Sequence, residues 1–301
     1  MNSITITCST SRLNEIINFY SSFQEKTSNP HAVFFAKLEG CTITAYKSGK
    51  VLFQGPASEL AAAKWGYSSS TSTNLVENAP QKICQANLAG SDEVGTGDYF
   101  GPITVSACYL TEDNIKAISH LNIQDSKQLT DEKILKIAPE LNKIVKYSLL
   151  ILHNEKYNSL QRSGFNQGKL KAYLHNQALN HLLNKLSPTI PDEIIIDQFA
   201  PKTTYFNYLK TEKNVVRDNV VFETKAENKY LAVACASIIA RYAFLKQMDK
   251  LSKAAGFDIP KGAGSKVDKA AAKLINQIGF DELHKYAKIH FANTEKALKL
   301  I

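Results

Sequence analysis

Residues 90–102 read Gly-Ser-Asp-Glu-Val-Gly-Thr-Gly-Asp-Tyr-Phe-Gly-Pro and form the most informative segment of the chain. Two acidic residues, Asp92 and Glu93, follow a strand-like run and precede a glycine-rich turn. After Pro102 the chain becomes β-branched and apolar, which predicts a second strand over residues 103–110. A dinucleotide-binding loop would lead into a helix at this point, so the pattern argues against that use of the glycines.

Strand-like and helix-like patterns alternate along the rest of this region, which predicts an α/β fold. A helix is expected over residues 169–186. A long helix is expected to run from about Ala226 to Leu251, with Glu227 on its apolar face. The predicted strands are residues 87–91, 103–110, 147–152, 194–197 and 220–223. Two weakly apolar helices are expected at residues 268–278 and 280–287.

Residues 1–67 predict a smaller, separate unit with the element order β-α-β-β-β-α. Ser11 is expected to cap its first helix, and Ser58 to open its second. The polar, aperiodic segment 68–82 predicts a linker, which leaves residues 83–301 as the larger unit. The strands of the small unit are expected at residues 4–8, 32–38, 41–46 and 50–54.

The composition excludes several classes of protein. The 301 residues are 44% hydrophobic and 21% charged, as in chains that bury a sizeable core, so a disordered or fibrous protein is excluded. Five cysteines without a C-x-x-C pair indicate free thiols in a reducing cytoplasm and not a disulfide framework. Neither a signal peptide nor a membrane span is predicted. The net charge of +8 is compatible with a polyanionic partner, although a solvated, lysine-rich helix face is a commoner cause of such an excess.

Four acidic residues stand where an α/β fold can bring them together. Asp92, Glu93 and Asp197 are placed at the ends of predicted strands, and Glu227 opens a predicted helix. Clustered carboxylates repel one another unless a cation neutralises them, and oxygen ligands favour Mg²⁺ or Mn²⁺ over zinc. Each carboxylate, taken by itself, could instead cap a turn or a helix, so both interpretations stay open at this point.

The segment 90–102 closely resembles the signature of bacterial ribonuclease HIII. The related ribonuclease HII usually carries arginine where Thr96 stands and aspartate where Glu227 stands, so both positions favour the HIII type. Residues 1–67 resemble the N-terminal extension of that family, a sheet similar to half of the TATA-box-binding protein. The resemblance continues in order through residues 125–129, 173–178, 196–199, 222–227, 232–241 and 261–263.

This resemblance implies a ribonuclease H-like mixed sheet flanked by helices and an endonuclease that hydrolyses the RNA strand of RNA–DNA hybrids. It implies catalytic and metal-binding roles for Asp92, Glu93, Asp197 and Glu227, with two divalent ions, Mg²⁺ or Mn²⁺. Asp92 would bridge the ions, and Glu227 would position the attacking water or hold one ion loosely. The products would carry 5′-phosphate and 3′-hydroxyl ends.

Recognition of the hybrid is expected to involve the glycine-rich turn. Gly95, Thr96 and Gly97 are predicted to read the 2′-hydroxyl of the RNA strand, and Ser126 and Lys127 to hold a phosphate. The RNA–DNA hybrid duplex is the one partner expected. Without a membrane or a protein partner, the chain is predicted to be a cytoplasmic monomer.

The N-terminal unit is predicted to add affinity for the duplex. Four aromatic residues of its sheet could lie against the nucleic acid or pack in its core, because alternate strand positions must face the helices. They are Phe34, Phe35, Tyr46 and Phe53.

Other interpretations remain open at the level of the sequence. The chain could be a non-catalytic nucleic-acid-binding module, a ribonuclease HII-like enzyme that acts at single embedded ribonucleotides, or a nucleotide-cofactor enzyme that uses the glycine-rich turn. His175 and His290 are expected to be ordinary helix histidines with satisfied hydrogen bonds.

Overall fold

The structure, a computed structural model, describes residues 3–27, 29–65, 84–123 and 129–301. The chain divides into two compact units, residues 1–77 and 78–301. The predicted linker and two of the predicted substrate-binding residues, Ser126 and Lys127, lie outside the described residues. The proposed domain boundaries therefore stay a prediction.

The N-terminal unit has the predicted element order. Its strands form an antiparallel sheet in the order β1-β4-β3-β2, and α1 and α2 supply apolar residues to the same core. The elements are β1 (Ser3–Thr7), α1 (Thr10–Phe19), β2 (Ala32–Leu38), β3 (Cys41–Tyr46), β4 (Lys50–Gln54) and α2 (Ser58–Ala63). Ser9, and not Ser11, caps α1, because the Ser9 side chain accepts the Arg12 N–H and the helix has begun before Ser11.

The aromatic residues of this sheet divide between core and surface. Phe34 and Phe53 are buried in the core, whereas Phe35 and Tyr46 are half-buried. The alternation of side chains along each strand accounts for this division, because neighbouring residues face opposite sides of the sheet. The core interpretation is therefore correct for Phe34 and Phe53.

In the larger unit, the described residues form a five-stranded mixed sheet in the order β7-β6-β5-β8-β9. β5, β6 and β7 pair antiparallel, and β5, β8 and β9 pair parallel. The strands are β5 (Leu88–Val94), β6 (Ile103–Leu110), β7 (Lys146–Leu152), β8 (Glu193–Asp197) and β9 (Val220–Glu223). The predicted ribonuclease H-like architecture, a mixed sheet flanked by helices, is confirmed.

Helices cover both faces of this sheet. α6 packs on one face, over β6 and β7, and α9 packs on the other, over β5 and β6. The helices and their bounds are α3 (Glu112–Ile118), α4 (Asp131–Ile144), α5 (Asn154–Arg162), α6 (Gln167–Leu186), α7 (Lys202–Tyr208), α8 (Ala226–Lys229), α9 (Leu231–Ala255), α10 (Ser265–Ile278) and α11 (Ala292–Leu298). Short 3₁₀ turns occur at Ser21–Phe23, Ser119–Leu121 and Asp281–Lys285.

Gly90 lets α9 approach the central strand closely. A Cβ atom at this position would lie 2.4 Å from the backbone nitrogen of Val233, so any side chain would push the helix away. α9 is also long and apolar enough to cross a membrane, but 67% of its most apolar window is buried inside the protein. The helix is accordingly part of the core, and its apolar character is explained by that burial.

The helix expected at residues 280–287 is only a 3₁₀ turn, Asp281–Lys285. Two further expectations about the elements are wrong, and both concern acidic residues. β5 continues to Val94, so Asp92 and Glu93 lie within the strand and not after its end. The predicted helix from Ala226 to Leu251 is interrupted at Tyr230, which has an extended backbone (φ −116°, ψ 126°). Glu227 therefore lies on the one-turn helix α8, and its direction does not follow from the periodicity of α9.

Candidate active site

The alternation of side chains along β5 separates its two acidic residues. Asp92 points towards α9, where it accepts a hydrogen bond from Ser237, and Glu93 points towards α6. Opposite directions are expected of consecutive residues in a strand. Adjacent carboxylates thus enter two different environments at the same end of the sheet.

Asp92 is buried, and its environment disfavours the charged form. One of its oxygens accepts the N–H of Glu93 at 2.7 Å. Burial, followed by the negative charges of Glu93 and Asp197, raises the pKa of Asp92 well above its usual value despite these hydrogen bonds. A cation bound at this carboxylate would offset the shift, because it stabilises the charged form.

Asp197 ends β8, the parallel neighbour of β5. Ser91 is paired with Ile196, so the next residues, Asp92 and Asp197, extend from the same end of neighbouring strands. An Asp197 oxygen accepts the N–H of Ala226 at 2.8 Å, which ties the end of β8 to the start of α8. Burial raises the pKa of Asp197, and the charges of Glu227 and Glu93 act in the same direction.

Glu227 belongs to the same group of carboxylates. It is half-buried, and it is close enough to Asp197 for its charge to affect the pKa of that residue. Lys225, in the left-handed conformation (φ 53°), turns the chain so that α8 begins beside Asp197. The structure therefore brings all four predicted acidic residues into electrostatic contact.

Two residues of α6 hold the Glu93 carboxylate. Lys171 Nζ lies 2.9 Å from one oxygen, and His175 Nε2 lies 2.9 Å from the other. The second ring nitrogen of His175 lies 2.6 Å from the Ser91 hydroxyl. Burial alone would raise the pKa of Glu93, but the hydrogen bonds and charges of His175 and Lys171 outweigh it and lower the pKa.

Sequence reasoning missed this contact. His175 is a buried, satisfied helix histidine, as expected, but its partner is a candidate catalytic residue. Lys171 was not singled out at all. The signal that could have found them is the four-residue spacing of Gln167, Lys171 and His175, which places polar side chains in one row of an otherwise well-buried helix.

The chemistry of these side chains fits a hard divalent cation. The donors are buried carboxylate oxygens whose mutual repulsion a cation would relieve. In the part of the chain that the structure describes, however, no group of three or more acidic, histidine or cysteine side chains is already arranged to hold an ion. Lys171 and His175 engage both oxygens of the Glu93 carboxylate in this arrangement.

The glycine-rich turn is shaped by two constraints of the fold. Gly95 has φ +93°, and a Cβ there would lie 2.2 Å from the carbonyl oxygen of Pro102. Gly97, in contrast, is exposed, and a Cβ there would meet no atom within 4 Å. Gln167 Nε2 donates to the Thr96 carbonyl at 2.6 Å, so α6 also fixes this turn.

The C-terminal segment holds the other side of the turn. The fully buried Lys288 donates to the carbonyl oxygens of Asp98 at 2.7 Å and Gly101 at 2.6 Å. Burial lowers the pKa of Lys288 to about 7. Lys288 carried no sequence signal, and the expectation for its neighbour His290 is wrong in one respect: His290 lies in a turn, stacked on Tyr157, and not in a helix.

Comparison with protein families gives two matches. The family model described as "Ribonuclease HII" matches residues 89–294, and the one described as "Domain of unknown function (DUF3378)" matches residues 3–78. Among curated proteins, a ribonuclease HIII of Bacillus cereus is 49% identical and is aligned over 100% of this chain and 99% of its own length. A ribonuclease HIII of Bacillus anthracis is 48% identical over the same shares.

Solved structures give the same result. The crystal structure of Bst-RNase HIII in complex with Mn²⁺ is 44% identical, with a TM-score of 0.71 and 99% of each chain covered. The crystal structure of Aquifex aeolicus RNase H3 is 27% identical, with a TM-score of 0.55, and the alignment covers 95% of this chain and 99% of that one.

Proposed function

Since the chain belongs to the ribonuclease HIII family and is a metal-dependent endonuclease acting on RNA–DNA hybrids, we propose roles in that reaction for its clustered carboxylates. The observation that carries the proposal is the neighbouring position of Asp92, within β5, and Asp197, at the end of β8, whose pKa values are raised by burial and by neighbouring carboxylates. Asp92 and Asp197 are the primary metal ligands in this proposal. The backbone carbonyl of Glu93 is a further ligand.

The enzyme uses Mg²⁺ or Mn²⁺, and we assign the acidic residues different roles towards the metal. When bound, a divalent ion activates water for attack on the phosphodiester and stabilises the leaving 3′-oxygen. Asp92 and Asp197 would hold the metal, and the products carry 5′-phosphate and 3′-hydroxyl ends. Glu93 contributes a negative charge that Lys171 and His175 keep in place.

Glu227 positions the attacking water or holds one ion loosely. This role is supported by the position of Glu227 on a separate one-turn helix, which is bonded to Asp197 through the backbone N–H of Ala226. A residue that positions water affects the rate more than it affects metal affinity. Glu227→Gln is therefore expected to lower kcat more strongly than it raises the metal concentration needed for half-maximal rate.

The glycine-rich turn reads the 2′-hydroxyl of the RNA strand. Gly97 supports this role, because neither its backbone conformation nor a neighbouring protein atom requires glycine there, and the missing side chain leaves room for a ligand. The backbone of Gly95 and the hydroxyl of Thr96 complete the sensor. Ser126 and Lys127 stay predicted phosphate contacts.

Residues 1–67 add affinity for the duplex, and residues 83–301 carry out the chemistry. This division is supported by the compactness of each unit and by the position of all four carboxylates in the larger one. We place the enzyme in the cytoplasm as a monomer. Free thiols support the compartment, since Cys41, Cys108 and Cys235 are buried and unbridged.

Asp92→Asn and Asp197→Asn test the proposed site. Each substitution removes a ligand charge and keeps the side-chain shape, so cleavage of an end-labelled hybrid should fall at least about 100-fold while hybrid binding remains measurable. Asp249→Asn, on the exposed surface of α9, is the matched control and should leave cleavage unchanged. Turnover near the wild-type rate in either active-site variant at saturating Mg²⁺ would show that the carboxylates are misassigned.

A further inference from the structure

One face of α6 follows the central strand and its turn. Gln167, Lys171 and His175 are spaced by four residues, so they project from the same side of the helix. Their partners are, in order, the Thr96 carbonyl, the Glu93 carboxylate, and Glu93 together with Ser91. A single helix thus contacts both the acidic strand and the turn that follows it.

The contact with Glu93 restrains the side chain at both of its carboxylate oxygens. One oxygen is engaged by an ammonium and the other by an imidazole, each at 2.9 Å. His175 is fully buried, and the side chains of Lys171 and Glu93 are only 15% and 10% exposed. Ser91 fixes the far nitrogen of His175, so the ring cannot turn freely. We call Lys171 and His175, with Glu93 between them, the Glu93 clamp.

We propose that Lys171 and His175 are positioning residues for hybrid cleavage, which hold the Glu93 carboxylate in one place beside Asp92. The proposal rests on the proposed function, because it assumes that Glu93 and Asp92 serve the metal site. Without the clamp, the Glu93 side chain could adopt several rotamers and would be repelled by Asp92 and Asp197. Residues that orient metal-site carboxylates in this way commonly change affinity or activity about 10- to 100-fold when replaced.

A purely structural role makes a different prediction. If α6 only packed against β5, an apolar residue of similar length at position 171 would preserve the packing and the activity. Lys171 also lies over the ring of Phe199 at 4.3 Å, a contact that methionine can keep as an apolar one. Lys171→Met therefore removes the hold on one of the two Glu93 oxygens with little loss of packing.

Lys171→Met should lower kcat about 10- to 100-fold with little change in KM for the hybrid. Calorimetry with Mn²⁺ alone should show binding at least as tight as in the wild type, because a positive charge beside the carboxylates has been removed. Lys169→Met is the matched control. It removes the same charge from the same helix, at a side chain that lies over Phe165 and not on Glu93, and its kcat should be unchanged.

A double-mutant cycle tests whether Lys171 acts through Glu93. In a Glu93→Gln background, Lys171→Met should have little further effect, because the charge of its partner has already been removed. His175→Gln keeps a donor near Glu93, so it should retain more activity than His175→Leu. The cycle and the conservative variant together separate positioning from a direct contact with the substrate.

Three results would overturn the proposal. These are wild-type kcat in Lys171→Met, additive effects in the double-mutant cycle, or weaker Mn²⁺ binding that accounts for the fall in activity. Failure here is distinct from failure of the proposed function. If Asp92→Asn is inactive while Lys171→Met is fully active, the metal site stands and only the clamp is wrong.

Discussion

Asp92 and Glu93 are adjacent in the chain, yet their environments shift their pKa values in opposite directions. Asp92 is buried beside other carboxylates, which raises its pKa, whereas His175 and Lys171 lower the pKa of Glu93. The alternation of a β-strand makes this possible, because consecutive side chains face different layers of the fold. One carboxyl is thereby kept charged, and the other is left in need of a cation.

The raised pKa of Asp92 predicts how the metal-free enzyme responds to pH. A carboxyl whose pKa is higher in the folded state adds stability at low pH and loses it as pH rises through the folded-state pKa. Asp92→Asn removes this loss of stability at high pH, because asparagine does not ionise. In EDTA at pH 8 the variant should melt about 3 °C or more above the wild type, a shift that corresponds to roughly 1 kcal/mol, and the difference should shrink towards pH 4.

Thermal unfolding with and without Mn²⁺ completes this measurement. The ion should stabilise the wild type and should have little effect on Asp92→Asn, because it binds the folded state through that carboxylate. A variant that is less stable than the wild type at both pH values would mean that the environment of Asp92 is not dominated by burial and like-charge repulsion.

At the scale of elements, the sequence predicts the strands better than it predicts the local features that orient the acidic side chains. Runs such as 103–110 and 220–223 were found with correct bounds, because their apolar patterns are local. The break at Tyr230 could not be found this way. It separates α9 from α8, and α8 is bonded to Asp197 in a strand that is distant in the chain. The Glu93 clamp was missed for the same reason: it exists only once α6 is packed against β5.

The C-terminal segment stabilises the glycine-rich turn through an unusual buried charge. Lys288 donates to two carbonyl oxygens of the turn, and the backbone of Gly101 is bonded to that of Tyr286. The Lys288 pKa of about 7 lies below its usual value, so Lys288 loses its proton at a lower pH in the folded protein than in the unfolded chain. Below pH 7 Lys288 is charged in both states, so the free energy of unfolding is reduced by the full cost of burying the charge.

Lys288→Met should show this cost as a pH-dependent change in stability. The unfolded chain binds more protons than the folded protein between pH 7 and pH 10.5, so the wild type gains stability over this range relative to the variant. Urea unfolding at pH 7, 8.5 and 10 measures the difference in free energy of unfolding between the wild type and Lys288→Met. A difference that is constant would show that folding leaves the pKa of Lys288 unchanged, and a difference that falls with pH would show that folding raises it; either result contradicts the lowered pKa.

At the scale of the whole molecule, the two compact units suggest a division between affinity and chemistry. A truncated chain that begins at Ala79 should fold and should cut hybrids at high substrate concentration, because the four carboxylates lie in the larger unit. Its KM should rise. The slope of its log-affinity against log-salt should fall by about 0.9 for each phosphate that the N-terminal unit neutralises, on the calibration for B-form DNA.

The comparison needs the full chain under the same conditions. Equal affinity and an equal salt slope would mean that residues 1–67 do not bind the duplex. If the truncated enzyme is folded but its turnover stays low at saturating substrate, the N-terminal unit takes part in the chemistry itself.

The central claim is that Asp92, within β5, and Asp197, at the end of the neighbouring strand β8, bind the catalytic metal. Anomalous scattering from crystals of the full-length enzyme grown with Mn²⁺ measures the position of the ion directly. We expect a manganese peak within bonding distance of both carboxylates, and no peak there in crystals of Asp92→Asn. Manganese bound elsewhere in the wild type, with neither carboxylate in contact with it, would contradict the account.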